Sequence, residues 1–416
     1  MKNWGKFGVA ATLLVAVLAV YQLKNVKAAG GPAQGEGGPY RVLTPIVSGN
    51  LLLFPVVRAD EKSTGETPFI TLDEGLKSGE VEVTEAGRAR GLVRPRGSSH
   101  SPVQDNYDRG DEVNTLVLVN HSKHPLLLLA GEIVTGGKQD RIVAKDRIVP
   151  ADADPIDLGV FCIEPGRWTE SSSTFGAAGK SASKSFMVQP EVRERAMVDQ
   201  DQQQVWNSVG GAISQMEVAA APPASSGGPA PGGMYRRSLG TSSYAKAMQD
   251  SSVSEKVDEA AAPLMNAREQ VLAQLRDEHA VGVVVAVRGE IIWADLFANT
   301  DLLSRYWTKL VRSYAAESLT DGENHPAPTL ADAQHFLDAP SGGTENSEGE
   351  VGIYRYRELK SIRTETFVLE SLLPGTGYDV HLSKMKLRGE ESQNVKPYPT
   401  NQPMVQPDVY RPGIVR

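Results

Sequence analysis

The chain has 416 residues, room for two or three ordinary domains, and its 40% apolar and 23% charged residues fit neither a wholly disordered chain nor a multi-span membrane protein. Lys and Arg total 43 against 51 Asp and Glu, and the net charge of −8 argues against nucleic acid or an anionic lipid surface as a partner. One cysteine, Cys162, excludes an intramolecular disulfide and any Cys-pair zinc site, so stability has to come from packing.

Lys2 and Lys6 precede an apolar stretch from Phe7 to Tyr21, and Val26-Lys27-Ala28 has the small-residue spacing of a signal peptidase site. Residues 1–28 are therefore expected to be an export signal, or, uncleaved, an N-terminal anchor and the protein's one membrane contact. Either way the body is placed outside the cytoplasm, periplasmic or secreted. Residues 29–39 are glycine-rich and read as a flexible spacer. From Tyr40 to Trp168 the apolar runs are short and bounded by Gly, Pro, Asn or Asp: Leu51–Val57, Phe69–Leu72, Thr115–Val119, Leu126–Ala130 and Ile156–Ile163. These predict strands, with Asn120–Pro125 as the loop of a hairpin.

Beyond Pro190, Val205, Val209 and Ile213 recur at helical spacing. Ala219–Gly233 holds almost only Ala, Pro, Ser and Gly, and an insertion over residues 219–250 is expected to be disordered. Leu264, Ala267, Val271 and Leu275 mark a further helix face, Val281–Val287 and Glu290–Phe297 form a hairpin around Arg288-Gly289, and Leu302 to Tyr314 forms a helix capped by Thr300 or Asp301. More strand-like segments follow from Tyr354 to Met385, and residues 386–416 read as a Pro- and Gln-rich tail. The expected architecture is α+β: an antiparallel, β-rich N-terminal half packed with C-terminal helices and a β-hairpin, in one body over residues 40–385.

Two segments concentrate polar chemistry. In Gly131–Arg141, Gly136 and Gly137 free the backbone to turn and present N–H groups, while Lys138 and Arg141 add positive charge suited to an anion. The spacing is not that of a phosphate loop: five residues separate Gly131 from Gly137-Lys138, and Gln139 stands where a Mg²⁺-binding hydroxyl would be. Against this stands a plain glycine hairpin with solvated charges. In Phe161–Trp168, Glu164 is a candidate acid, base or ligand, Arg167 a carboxylate or phosphate partner and Trp168 an aromatic wall; the alternative is an ordinary Pro165-Gly166 turn. Cys162, in an apolar strand, reads as an inert small hydrophobe, and His121 and His124 as loop residues. Gly-x-Ser-x-Gly and His-Glu-x-x-His do not occur, no metal-ligand spacing is present, and the sequence names no cofactor.

Leu127–Arg141, Cys162–Trp168, Asp201–Trp206 and Trp307–Tyr314 together resemble the signatures of a bacterial family, the ARG and rhodanese-phosphatase-superfamily-associated protein domain, over roughly Leu43 to Met385. The family's name records genomic association with ADP-ribosylglycohydrolases and phosphatases, which implies no particular reaction. The resemblance implies that Glu132, Gly136, Gly137, Lys138, Gln139, Arg141, Glu164, Arg167 and Trp168 converge, either as a polar pocket or as a buried network that locks the fold. If Asp140 turns inward, the cluster's charges balance and the second alternative gains. The leading expectation is an exported binding module for an anionic or nucleotide-like small molecule. The alternatives are a hydrolase of phosphate or ADP-ribose compounds, with Glu132, Asp140 or Glu164 as acid, base or metal ligand, and a structural protein of the envelope.

Overall fold

The structure, a computed structural model, describes residues 38–58, 67–85, 115–166, 171–179, 181–221, 238–266, 280–341, 343–376 and 379–387. The expected signal, the spacer up to residue 37, most of Ala219–Gly233 and the tail beyond Leu387 lie outside them. Chain contacts separate Met1–Gly38 from Pro39–Arg416, and the second unit carries the fold.

Its strands are β1 Tyr40–Val42, β2 Ile46–Ser48, β3 Leu51–Arg58, β4 Ile70–Thr71, β5 Val81–Glu85, β6 Thr115–Asn120, β7 Leu126–Leu128, β8 Ile133–Gly136, β9 Arg141–Val143, β10 Arg147–Val149, β11 Ala153–Cys162 and β12 Phe175–Ala177. After the central helices come β13 Ala280–Val287, β14 Glu290–Phe297, β15 Thr344–Glu350, β16 Tyr354–Lys360, β17 Thr364–Ser371 and β18 Asp379–Lys386. They form a nine-stranded sheet, β1-β3-β13-β14-β18-β17-β16-β15 with β2 beside β3; a six-stranded sheet, β12-β8-β9-β11-β6-β5; and a three-stranded sheet, β10-β7-β4. Among the described strands every pairing is antiparallel except β4 with β7. The protein is α+β, as the short bounded apolar runs predict.

β3 is apolar at almost every position because both its faces are covered. Leu51, Leu53 and Val57 enter the main core, while Leu52, Phe54 and Val56 face a second cluster on the sheet's other side. The helices are α1 Leu72–Ser78, α2 Pro190–Glu194, α3 Gln202–Ala219, α4 Tyr244–Gln249, α5 Ser251–Asn266, α6 Thr300–Ser318 and α7 Leu330–Asp338. α6 buries Leu302, Leu303, Tyr306, Trp307, Leu310, Val311 and Tyr314 in the main core, where α3 adds Val205, Val209, Ile213 and Met216. Each such aliphatic or aromatic side chain removed from water contributes about 1.5–3 kcal/mol; α6 lies against β13, β14 and β3 of the nine-stranded sheet, whereas α3 packs on β11 of the six-stranded one. The residue that caps α6 is Asn299, one before the expected pair, whose side chain accepts from Leu302 N at 2.9 Å.

Three further details differ from the sequence reading. β6 and β7 do not pair with each other: β6 lies between β5 and β11, and β7 between β4 and β10. The connection is a packed turn held by Asn120, whose Nδ2 donates to His124 O at 2.9 Å and to Pro150 O at 2.8 Å. After two strand residues the Phe69–Leu72 run becomes α1, started by a capping box in which Thr71 accepts from Glu74 N and Glu74 from Thr71 N. Within the segment expected to be disordered, residues 238–250 carry α4, and Tyr244 on it is fully buried. The Arg288-Gly289 hairpin stands as expected, with both residues at positive φ (+52° and +82°), as a two-residue turn between twisted strands requires.

Candidate functional site

Leu129-Ala130-Gly131-Glu132, the turn leading into β8, is where two buried ionic networks meet. Leu129 N donates to Glu132 Oε2 at 2.8 Å, Ala130 N to Asp146 Oδ1 at 2.7 Å, and Arg193 Nε to Ala130 O at 3.2 Å. Gly131 has φ +86°, and a Cβ there would lie 2.5 Å from Arg193 Cγ, so only glycine lets the turn and the arginine coexist.

The first network opens to the surface. Lys309 of α6 extends its ammonium between Glu132 Oε1 and Asp73 Oδ1, the latter at 2.7 Å. Asp73 lies in the first turn of α1, and its other oxygen accepts from Ser185 Oγ. The three side chains grade from inside to out: Glu132 is 0% exposed, Lys309 6% and Asp73 26%. Lys309 and Asp73 line a cleft of about 720 Å³, together with Glu74, Lys77, Ser181, Ser183 and Arg305, and Glu132 lies beneath them. Burial lowers the proton affinity of Lys309, but Glu132 and Asp73 outweigh it and hold the ammonium above its ordinary pKa. Glu132 is raised, because complete burial exceeds the pull of Lys309 and Asp73 adds a like charge. Across the mouth, Arg305 pairs with Asp301 at 3.0 Å and Glu74 at 3.3 Å.

The second network is sealed. Arg193 grips Asp295 with two N–H groups at 2.8 and 3.1 Å, Ser383 Oγ donates to Asp295 at 2.8 Å, and Tyr314 donates to the same carboxylate. His381 lies with Nδ1 2.6 Å from Asp146 and Nε2 3.2 Å from Asp295. Burial alone would neutralise the imidazole, yet the two carboxylates raise it to about 9, so it is a cation at neutral pH. Arg193 and His381 thus balance Asp295 and Asp146.

Of the residues expected to converge, Arg141 and Glu164 lie along one hydrogen-bonded run, which Gln139 joins through its backbone carbonyl, and Glu132 meets Lys309 beneath the cleft instead. β8 and β9 form the glycine hairpin, with Gly136 and Gly137 at positive φ. Lys138 N donates to Glu85 at 2.9 Å, Arg141 Nη1 to Gln139 O at 2.6 Å and Asp140 N to Glu164 at 3.3 Å. Lys246 closes on the other oxygen of Glu164 at 2.9 Å. Asp140 turns inward, accepting from Gly136 N at 3.1 Å and Ser243 Oγ at 2.9 Å. Arg167 and Trp168 lie outside the described residues. Cys162 is sealed by Gln202, which makes two 2.9 Å hydrogen bonds to its backbone, and burial pushes the thiol up to about 11.

Asp73, Ser185 and Lys309 were not identifiable as a group from the sequence. Their local signals are the capping box at Thr71 and a lysine on an otherwise apolar helix face, and neither names the other. Among the described residues no group of three His, Cys, Asp or Glu side chains is placed to hold a metal ion. Neither a curated protein nor a solved structure matches the chain. The sequence profile of one family matches residues 39–385, the whole span that carries both networks, and the protein belongs to that family, the ARG and Rhodanese-Phosphatase-superfamily-associated Protein domain.

Proposed function

We propose that the protein is an exported binding module whose cleft above Lys309 takes an anionic or nucleotide-like small molecule. The observation that carries this reading is a lysine otherwise cut off from water, fixed at the cleft floor with one partner, Asp73, facing the opening. A sealed pair would serve stability alone; a pair with one partner at an open mouth can share that partner with a ligand. Asp73 and Glu74 suit sugar hydroxyls as acceptors, and Lys77 and Arg305 suit a phosphate. The Gln139, Arg141 and Glu164 run is assigned the fold-locking role, because Asp140 faces inward and shares in it. Export rests on the Lys2–Ala28 pattern, and mass spectrometry of the mature N-terminus tests it: an intact Met1 in a cytosolic protein rejects it.

Binding is tested by thermal unfolding in titrations of ADP-ribose, ribose 5-phosphate and inorganic phosphate. The expected result is stabilisation that rises with concentration and is lost in Lys77→Ala and Asp73→Asn variants that unfold cooperatively without probe. No shift with any probe rejects the reading. A hydrolase is the second reading, favoured by Glu132 and Asp73 both contacting one ammonium, a pair of carboxylates with different exposure and a raised inner member. Release of ribose or phosphate from these probes, abolished in Asp73→Asn, would select it.

A further inference from the structure

One stretch of the cleft rim is tied at two points, and one tie is shared with the floor. Ser181–Ser185 is a single tight turn in which Lys184 N donates to Ser181 O at 2.9 Å and Ser185 N to Ala182 O at 3.4 Å. On the outside, the Lys184 ammonium pairs with Asp258 of α5, which Arg312 of α6 also holds. On the inside, Ser185 donates to the same Asp73 carboxylate that meets Lys309. The inner tie is nearly buried, with Ser185 5% exposed, whereas Lys184 and Asp258 are 47% and 34% exposed. Gly179 closes the loop at φ +112°, its Cα packed so tightly on the returning chain that a Cβ would lie 2.5 Å from Lys184 O.

We propose that Ser181–Ser185 is a latch on the cleft, held from outside by Lys184–Asp258 and from inside by Ser185–Asp73. The proposal rests on the reading of this cleft as a binding site. A ligand donor that takes the Asp73 carboxylate displaces Ser185, after which the latch hangs on an exposed ion pair alone. Such a pair is screened by salt and shifts an opening equilibrium by no more than about fivefold, which makes it a tie that can be released.

The test uses the full chain with the cleft empty. Hydrogen exchange at the Lys184 and Ser185 amides reports latch opening, and alkylation of a Thr308→Cys variant by iodoacetamide reports access, Thr308 lining the cleft and the native Cys162 being buried. In Lys184→Ala both rates are expected to rise about fivefold, as they are in the unsubstituted latch on going from about 0.05 to about 1 M NaCl. Ser185→Ala is expected to raise them as well, Lys184→Arg to restore them, and Lys256→Ala, which removes another exposed ion pair on α5, to leave them unchanged. Unchanged rates in Lys184→Ala, or acceleration that extends to the amides of α6, overturns the latch. Because no ligand is present, failure of the ADP-ribose, ribose 5-phosphate and phosphate titrations is a separate result.

Discussion

The two ionic networks share a four-residue turn and the same chemistry, charges held between helices and sheet, yet they differ in whether water can reach them. Arg193, Asp295, His381 and Asp146 form a closed set in which each charge faces its opposite and the surroundings are protein. Asp73, Lys309 and Glu132 form a graded set whose outermost member meets the solvent. Buried ion pairs return little net stability, because desolvation offsets much of the attraction, but removing one partner is expensive. A closed set therefore commits the chain to one arrangement of α2, α6, β14 and β18, whereas an open one leaves an exchangeable partner at the surface.

Breaking the closed set should give the largest effect. Asp295→Ala leaves Arg193 and His381 buried without their shared carboxylate, and a loss of about 4 kcal/mol in urea unfolding is expected. A loss below about 1 kcal/mol would mean that the network relaxes into water and is not sealed.

The pH dependence of the closed set comes next. His381 is raised to about 9 from 6.5, so the folded state binds its proton more tightly than the unfolded state. Its contribution is complete below pH 6.5 and disappears as pH rises through 9, on the order of 3 kcal/mol across that window. Lys384 has the opposite sign, since burial lowers it to about 8, and subtracting the stability profile of His381→Gln from that of the wild type removes its part. Equal slopes in the two profiles would contradict the assignment.

The open set should respond least. Lys309→Met is expected to cost about 2 kcal/mol at pH 8 and less at pH 5, because Glu132, already raised by burial, takes up a proton and ceases to be a buried charge, while Asp73 reaches water. Paired unfolding curves at the two pH values test this, and a larger loss at pH 5 would reverse the comparison.

What could be read before folding follows from how far each signal reaches. The strands expected between Tyr40 and Trp168, Phe69–Leu72 apart, and the α6 face depend on spacing within one segment, and both lie at nearly the expected positions. The β6–β7 hairpin failed because adjacency in the chain was taken for adjacency in the sheet; Asn120 bonds both His124 in the turn and Pro150 after β10, and makes a turn that connects two sheets. Of the expected polar cluster, Gln139, Arg141 and Glu164 were legible because β9 and β11 are neighbours, whereas Glu132 points away from them to a helix more than 170 residues later.

The α+β class, the positions of most elements and the family follow from residue order alone, because periodicity, turn residues and local motifs are properties of short stretches. Residue order also puts Gly131 and Glu132 in a polar segment, Gly131–Arg141, without saying what the turn at Leu129–Glu132 meets. That this turn joins a sealed network to an open one, and that Asp73, Ser185 and Lys309 share a cleft, follows from packing. Charges are paired across space, by whichever elements packing brings together, and burial sets which pairs exchange with solvent; neither quantity has a signature in residue order.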